Sequence, residues 1–453
     1  MRTVLLRRWL GIQANVGLST ADRFARLKAL RPASTLSLSG SGSGHEVGLA
    51  RERGEAESFV GARGAAIGAE RLALILGASV KRNLHGEHLS LHGWHGGHAP
   101  CVPDAAALRL LAPDAAEDVA DAQRWLFLDT ETTGLAGGTG TYAFLVGLGW
   151  WEGGGLEVEQ LFMREYSEEP SLLAALAERL AERPVLITFN GKSFDWPLLE
   201  TRYRMARSIP PPVPRAHLDF LHTARSLWRP RLGSVRLSQL ERHVLGWERG
   251  EDLASELIPK IYLDFVRGGQ AEALVPVFQH NQMDLRGLAG LSGRILSLLG
   301  DEAAASRDGL ELYGVSRICE RRGERKRARK LYEQSIGSVL PLATDRAART
   351  ALARLAKRDG DLARSRQLWE STLGNSREGY EAYEQLAIYY EHEAREPRQA
   401  LAIARQALAQ LSRAKQAGTI AEASYQRTKA RFEHRLLRLE RQAGRTLLDA
   451  LDT

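Results

Sequence analysis

Residues 125–140 read WLFLDTETTGLAGGTG, an apolar run that ends in two carboxylates and continues into threonines and glycines. In an extended strand, residues i and i+2 project from the same face, so Asp129 and Glu131 lie side by side. Two adjacent carboxylates repel each other, and a buried strand that carries them must protonate one or supply a cation. The stretch therefore predicts a cation site at the end of a core strand.

The composition favours a multidomain protein with an acidic partner. The 453 residues have a formal net charge of +7 and a pI of 9.4. This length allows two or three domains, and nucleic acid is the commonest partner of a basic protein. With only Cys101 and Cys319 present, a disulfide framework and a cysteine-based zinc finger are excluded. No apolar run approaches the roughly 20 residues of a membrane helix, so we expect a cytoplasmic protein without membrane contact.

Apolar runs rich in β-branched and aromatic residues dominate the middle of the chain. They predict strands at 125–128, 142–151, 156–163, 185–189 and 216–221. Helical periodicity predicts helices at 170–182, 196–206, 237–245 and 275–299. Strands interleaved with helices indicate an α/β domain over residues 122–300, with a mixed sheet flanked by helices.

The segments on either side of this domain differ in character. Residues 1–60 predict a flexible basic segment with a Gly/Ser linker at 36–48, and residues 61–121 show no clear fold pattern. That second segment contains a histidine-rich tract, which is typical of a metal site, although its glycines favour a polar loop or hairpin: His85, His88, His92, His95 and His98.

Beyond residue 300 the pattern is helical and repeats. Tyr332, Trp369 and Ala404 hold equivalent places in three similar segments, so the repeats are 37 and 35 residues long (332 to 369, then 369 to 404). A helix-pair repeat of about 34 residues is typical of tetratricopeptide arrays, whose concave face is free for a protein partner. We expect such repeats over 301–412 and a basic C-terminal helix over 413–453.

Two more acidic residues extend the first pair. Asp195, in FNGKSFD, follows a predicted strand, and Asp284, in HNQMD, lies on the last predicted helix of the domain. His280 is four residues before Asp284, so the two share a helix face. The GKS tripeptide at 191–193 is no phosphate-binding P-loop, because Leu186 stands where that motif requires glycine.

DTETTGL, FNGKSFD and HNQMD, in this order, resemble the three motifs of the DEDD superfamily of 3′–5′ exonucleases, which have a ribonuclease H-like fold. The stretches GGTGTYAFLVGLG and HLDFLHTARSLWR, the HNxxD ending and the helical tail are similar to the YprB-like family of predicted exonucleases. The resemblance implies that Asp129, Glu131, Asp195 and Asp284 hold two divalent ions. Oxygen-only ligands suit Mg²⁺ or Mn²⁺.

The resemblance also implies a catalytic role for His280, whose imidazole can accept a proton near neutral pH. In the histidine subtype of the superfamily one more residue separates the histidine from the aspartate. His280 therefore lies at the spacing of the tyrosine subtype.

Several residues are candidates for substrate contact. Thr132, Thr133 and Gly134 resemble a turn that touches the terminal nucleotide, with a tight structural turn as the alternative, and Asn190 contacts substrate or holds its loop. Phe194 and Trp196 stack on a base or pack in the core. Phosphates are expected at Arg229, Arg231 and Arg236, whereas structural roles are favoured for His217, Asp219 and His222.

The expected function is a metal-dependent 3′–5′ exonuclease that acts on DNA or RNA, at a single-stranded end. The alternatives are a nucleic-acid-binding protein with a weak or inactive ribonuclease H-like domain and a helical-repeat adaptor for a protein partner.

Overall fold

The centre of the molecule is a mixed seven-stranded sheet with the order β1-β2-β5-β4-β3-β6-β7. The computed structural model describes residues 68–97, 103–134, 138–250, 252–300, 308–374 and 380–449; the predicted flexible segment 1–60 and His98 lie outside them. The strands are β1 (Ser79–Asn83), β2 (Gly86–His95), β3 (Trp125–Thr132), β4 (Ala143–Glu152), β5 (Gly155–Phe162), β6 (Val185–Thr188) and β7 (Ala216–Asp219).

Strands β1 to β5 pair antiparallel, while β6 pairs parallel with both β3 and β7. Side-chain alternation on β3 feeds two separate cores. Trp125 and Phe127 join the core on one face, and Leu126 and Leu128 join the core on the other. Because both faces are covered, the strand is apolar at every position until its carboxylates begin.

Helices cover both faces of the sheet, and most bury one apolar stripe against it. The helices of this part of the chain are α1 (Ala69–Leu76), α2 (Ala105–Leu111), α3 (Glu169–Glu182), α4 (Asp195–Ala206), α5 (Leu221–Leu232), α6 (Ile258–Val266) and α7 (Val275–Leu299). Short helical segments lie at Ala116–Val119 and Leu237–Leu240, and the latter continues into a π-helix at Glu241–Leu245. The helices predicted for this part of the chain all form, whereas α1, α2, α5 and α6 were not predicted.

Helix α7 is the longest of these and passes from one core to the other. Val277 and Phe278, near its start, belong to the core that contains Leu126, and Leu285 and Leu288 belong to the core that contains Phe127. The segment between them, 280–284, is therefore placed beside the carboxylate end of β3.

The sheet begins earlier than the predicted boundary at residue 122. Strands β1 and β2 form a hairpin within 61–121, and β2 pairs with β5 along seven residues, from Leu89 to His95. Strand pairing, which the local sequence does not reveal, brings this hairpin into the domain.

The histidine-rich tract lies along this hairpin. His88 contacts Ser171 through Nδ1 at 2.8 Å, and His92 pairs with Glu157 and Glu159 at 3.2 Å. Since alternate residues of a strand face opposite ways, His95 projects from the other face of β2.

A helical region follows the sheet domain, as predicted. Its helices are α8 (Gly309–Arg321), α9 (Arg325–Ile336), α10 (Leu342–Arg358), α11 (Leu362–Thr372), α12 (Glu381–Ile388), α13 (Pro397–Gln416) and α14 (Glu422–Asp449). Each packs on the next in the chain, and α8 also packs on α5. In the part of the chain that the structure describes, no helix is long and apolar enough to cross a membrane.

Candidate active site

Asp129 and Glu131 lie on one face of β3, on the same side as Phe127 and just beyond the apolar core. A β-bulge between Glu131 and Thr132 interrupts the pairing with β4, and such bulges commonly re-aim side chains beside active sites. Burial, followed by the charges of Asp284 and the neighbouring acids, raises the pKa of both carboxyls well above the ordinary value. The two side chains thus begin an acidic cluster.

Asp195 is the first residue of α4 and is only 7% exposed. The Thr130 hydroxyl, from the opposite face of β3, donates a 2.5 Å hydrogen bond to Asp195 Oδ1. Burial raises the pKa of Asp195 to about 6, although this hydrogen bond favours the charged form. The hydrogen bond ties the second motif directly to the first.

Helix α7 contributes Asp284 and two more polar side chains. Asn281 is fully buried and donates from Nδ2 to Asp129 Oδ2 at 2.9 Å, while Gln160 on β5 donates to Asn281 Oδ1 at 2.8 Å. This amide sits where β4 has Gly147, and any side chain at that position would overlap it. The asparagine of HNQMD is therefore a structural link between the first and third motifs, which the sequence interpretation missed.

A buried guanidinium neutralises part of the cluster. Arg249 forms ion pairs with Glu241, Asp252 and Asp284, and the bond to Asp252 Oδ2 measures 2.9 Å. Glu241 belongs to the π-helix and is 3% exposed, and Gly287 on α7 leaves the space that its carboxylate fills. Sequence reasoning missed Arg249, Glu241 and Asp252.

His280 is held in a defined orientation. Its Nδ1 lies 2.7 Å from Asp252 Oδ1, and its Nε2 lies 3.4 Å from the Ser255 hydroxyl and 3.7 Å from Asp284 Oδ2. Although burial opposes the charge, the bonds from His280 and Arg249 lower the pKa of Asp252. With Asp252 accepting the Nδ1 proton, Nε2 is left to accept another.

The four carboxylates predicted to bind metal thus lie close enough to perturb one another. They come from three separate segments and offer only oxygen atoms, the donor set preferred by Mg²⁺ and Mn²⁺. Among the described residues, no three acidic, histidine or cysteine side chains are grouped as a ready-made ion cage. Asp284 is instead paired with Arg249, and Asp195 with Thr130.

A cavity of about 890 Å³ opens next to this cluster, with His280 and Asp284 in its wall. Three exposed arginines, Arg225, Arg229 and Arg236, line the cavity. None of these three is paired with a carboxylate in the described part of the chain. Two of them were predicted to contact phosphate; Arg225, one helical turn before Arg229, was missed.

Arg231 has a different environment. Its Nη1 donates to Asp308 at 2.7 Å, and Asp308 in turn caps the start of α8. This arginine links α5 to the helical region and is not part of the cavity wall.

Two threonines stabilise the turn after β3 through hydrogen bonds to nearby backbone. Thr132 Oγ1 donates to the Gly134 carbonyl at 3.0 Å, and Thr133 Oγ1 accepts from the Tyr142 backbone N–H at 3.0 Å. Both hydroxyls therefore shape the turn, which fits the alternative of a tight structural turn.

The loop after β6 is shaped by Asp219. Its carboxylate accepts backbone N–H bonds from Asn190, Lys192 and Leu221 at 2.9–3.0 Å. Asn190 adopts a left-handed conformation, with φ of 73°, and lines the cavity. Asp219 thus has a structural role and sets the position of Asn190.

The remaining candidates lie around this loop. Trp196 is 8% exposed and packs edge-on to His217, whose Nε2 lies 2.8 Å from the Thr188 hydroxyl. Burial lowers the pKa of His217 to about 4, so the ring is neutral. Phe194 is half-buried before α4, and His222 is exposed on α5, outside the wall of the cavity beside the acidic cluster.

The sequence of this domain matches a known protein family. A family profile of the RNase H superfamily matches residues 126–295, which span the sheet strands and helices that carry the acidic cluster. Residues 126–295 are therefore an RNase H-like domain. Over 283 residues, 62% of this chain and 68% of the relative, the sequence is 32% identical to the uncharacterized protein YprB of Bacillus subtilis (strain 168). The chain belongs to the YprB family.

A solved structure is similar at a lower level. The family B DNA polymerase from the hyperthermophilic archaeon Pyrobaculum calidifontis matches with a TM-score of 0.32 and 16% identity. The match covers 44% of this chain and 29% of the polymerase chain.

Proposed function

We propose that this protein is a metal-dependent 3′–5′ exonuclease that hydrolyses DNA or RNA from a single-stranded end. The observation that carries the proposal is that Asp129, Glu131, Asp195 and Asp284, from three segments, lie together beside a cavity lined by the exposed Arg225, Arg229 and Arg236. The polarity rests on the resemblance of the three motifs to those of DEDD exonucleases.

The four carboxylates would hold two divalent ions, Mg²⁺ or Mn²⁺. Two such ions stabilise the attacking and leaving oxygens of an in-line phosphodiester displacement. Asn281 supports this arrangement because its amide fixes the orientation of Asp129. Arg249 balances the charge of Asp284 and reduces the repulsion within the cluster.

His280 and Asp252 would handle the proton of the attacking water. Asp252 holds Nδ1 at 2.7 Å, so Nε2 is presented on the side of Asp284 as a proton acceptor. This hydrogen bond to a loop carboxylate would orient His280, although its spacing to Asp284 differs from that of the histidine subtype.

The substrate would enter through the cavity. Arg225, Arg229 and Arg236 offer charge to backbone phosphates, which positions a strand without reading its sequence. Asn190, at the same wall, is placed to contact the terminal nucleotide.

The helical region is proposed to be tetratricopeptide-like. Tyr332, Trp369 and Ala404, at equivalent repeat positions, lie on α9, α11 and α13, the second helix of successive pairs. All three are buried, with 1%, 3% and 0% of their surface exposed. Equivalent burial at alternate helices is what stacked helix pairs require.

The decisive experiment compares wild type with Asp195→Asn on end-labelled DNA and RNA, single and double stranded, in Mn²⁺. We expect stepwise shortening from the 3′ end by the wild type and none by the variant. Asp264→Asn, at a half-exposed aspartate paired with Lys260, is the matched control and should keep full activity. Equal activity of Asp195→Asn and wild type would show that this cluster is not the catalytic site.

A further inference from the structure

A second cavity lies within the helical region, away from the acidic cluster. It has a volume of about 390 Å³ and is bordered by α8 to α12. Four arginines and three aromatic residues are in its wall: Arg317, Arg321, Arg346, Arg354, Tyr313, Tyr332 and Trp369. Arginine with interleaved aromatic residues is a composition suited to an anionic ligand with planar groups.

The positive charge of this cavity is only partly compensated. Its two acids are already engaged, since Tyr332 donates to Glu320 at 2.8 Å and Arg354 donates to Glu381 at 2.7 Å. Arg317 and Arg346 are both half-buried and have no carboxylate partner among the described residues. Two half-buried guanidinium groups that lack a carboxylate partner in the described part of the chain favour the binding of an anion in this cavity.

The charge continues toward the active site. Arg321 also borders a neighbouring cavity of about 400 Å³, where Lys192 and Arg322 lie. Burial, with Arg317 and Arg322 close by, lowers the pKa of Arg321, which is evidence of crowded positive charge. Lys192 is two residues from Asn190, a residue of the active-site cavity.

Helix α5 forms a wall common to these sites. Arg225 and Arg229 line the active-site cavity, while His222 and Thr223, in the first turn of the same helix, line the neighbouring cavity. Ser226 accepts a 2.8 Å hydrogen bond from Arg321 of α8. Cationic side chains thus line each of the three cavities, from the one beside the acidic cluster to the one in the helical region.

The helical region is firmly docked at this point. A Cβ at Gly314 of α8 would lie 2.7 Å from the Ser226 carbonyl, so the two helices touch backbone to backbone. Trp228 of α5 donates to Glu311 of α8 at 2.8 Å. Because α5 and α8 are in direct contact, the cationic side chains of the two regions are held at fixed positions relative to each other. One extended ligand that binds both regions requires such an arrangement.

We propose that Arg317 and Arg346 bind the phosphate backbone of the same nucleic-acid strand whose end lies in the active-site cavity. The inference rests on the proposed function and extends it, because it makes the helical region part of the substrate-binding surface. Continuity with the active-site cavity favours a nucleic acid over an acidic peptide.

The test uses the double variant Arg317→Gln/Arg346→Gln of the full chain. Binding is measured over a salt series with catalysis blocked by Asp195→Asn. The probes are single strands of about 30 and about 5 nucleotides, the first well above and the second near the lower end of the roughly 4–16 nucleotides that single-strand sites span. Arg358→Gln/Arg398→Gln removes the same charge from exposed arginines outside the cavity and serves as control. Arg317→Lys/Arg346→Lys, which keeps the charge, should restore binding.

Each phosphate contact with a single strand adds about 0.7 to the slope of log affinity against log salt, so the slope for the long strand should fall by about 1.4. If variant and parent bind equally at about 1 M salt, this slope difference corresponds to a loss of roughly 25-fold in affinity at about 0.1 M salt. Hydrolysis of the short strand, tested without the Asp195→Asn change, should be unaffected.

Three results would overturn the inference. An unchanged slope, with short strands still hydrolysed, refutes it and leaves the proposed function intact. An acidic peptide is tested as a further probe. If the double variant loses binding to this peptide while its nucleic-acid binding is unchanged, the cavity is assigned to a protein partner instead. A parent protein that neither binds nor hydrolyses any strand refutes the proposed function and this inference with it.

Discussion

Asp195→Asn should stabilise the metal-free protein at neutral pH, even though it removes a proposed ligand. The side chain is 7% exposed and close to other carboxylates, and its pKa is raised to about 6, chiefly by burial. Asparagine keeps the oxygen that accepts from Thr130 and removes the charge. The variant therefore separates the electrostatic cost of the acidic cluster from its packing.

The raised pKa of Asp195 determines whether its ionisation stabilises or destabilises the folded protein. An aspartate whose folded pKa lies above its unfolded value binds protons more tightly when folded. Its stabilising contribution is complete below the ordinary 3.8 and is lost as the pH rises through about 6. The difference between a pKa of 3.8 and one of about 6 corresponds to about 3 kcal/mol, which is the expected gain in unfolding free energy for Asp195→Asn above that range.

The assay is urea unfolding in EDTA at about pH 7.5 and about pH 4.5, on either side of the raised pKa. We expect the advantage of the variant at the higher pH to shrink at the lower pH, where the wild-type carboxyl is protonated. Asp264→Asn, at a half-exposed site away from the acidic cluster, should leave the stability unchanged at both pH values. A variant no more stable than wild type at the higher pH, or a gain independent of pH, would refute the reasoning.

Three further outcomes are expected. Mn²⁺ should raise the Tm of the wild type by relieving repulsion among the carboxylates, and no shift in thermal unfolding would speak against the metal site. Gly147→Ala should cost about 1–3 kcal/mol in thermal unfolding because it displaces Asn281, whereas Gly149→Ala, whose added Cβ meets its nearest neighbour at 3.4 Å, should cost less; equal costs would contradict the role of this contact. Asp252→Ala should lower kcat on labelled strands while the Mn²⁺-induced Tm shift persists, and unchanged kcat would show that the bond from Asp252 to His280 does not contribute to the rate.

The core of the fold was predictable because each step depends on local pattern. The apolar runs of β3, β4 and β5 are long and β-branched or aromatic, and the structure has strands where each was predicted. The acidic residues were identifiable because each lies within or close to a predicted strand or helix. The order in which these strands and helices pack then brings the four carboxylates together. These parts of the prediction required no knowledge of the loops.

The supporting residues were not predictable from the same signals. Arg249 and Asp252 lie in an irregular segment, where an arginine and an aspartate look like ordinary surface charge. Their importance comes from three-dimensional placement against Asp284 and His280. The β1–β2 hairpin was missed for a similar reason, since β2 is placed by pairing with β5 and its sequence is rich in glycine and histidine.

Helix α5 explains why the sheet domain and the helical region must be considered together. It supplies arginines to the active-site cavity, buries Trp228 in a core that also contains residues of α8 and α9, and contacts Arg321 through Ser226. Removal of everything after residue 300 would uncover that core and leave the Trp228 indole without Glu311. A truncated chain would then lose activity through instability as readily as through lost contacts. The contribution of the helical region to substrate binding is therefore separable only by point substitutions that leave the α5–α8 contact in place.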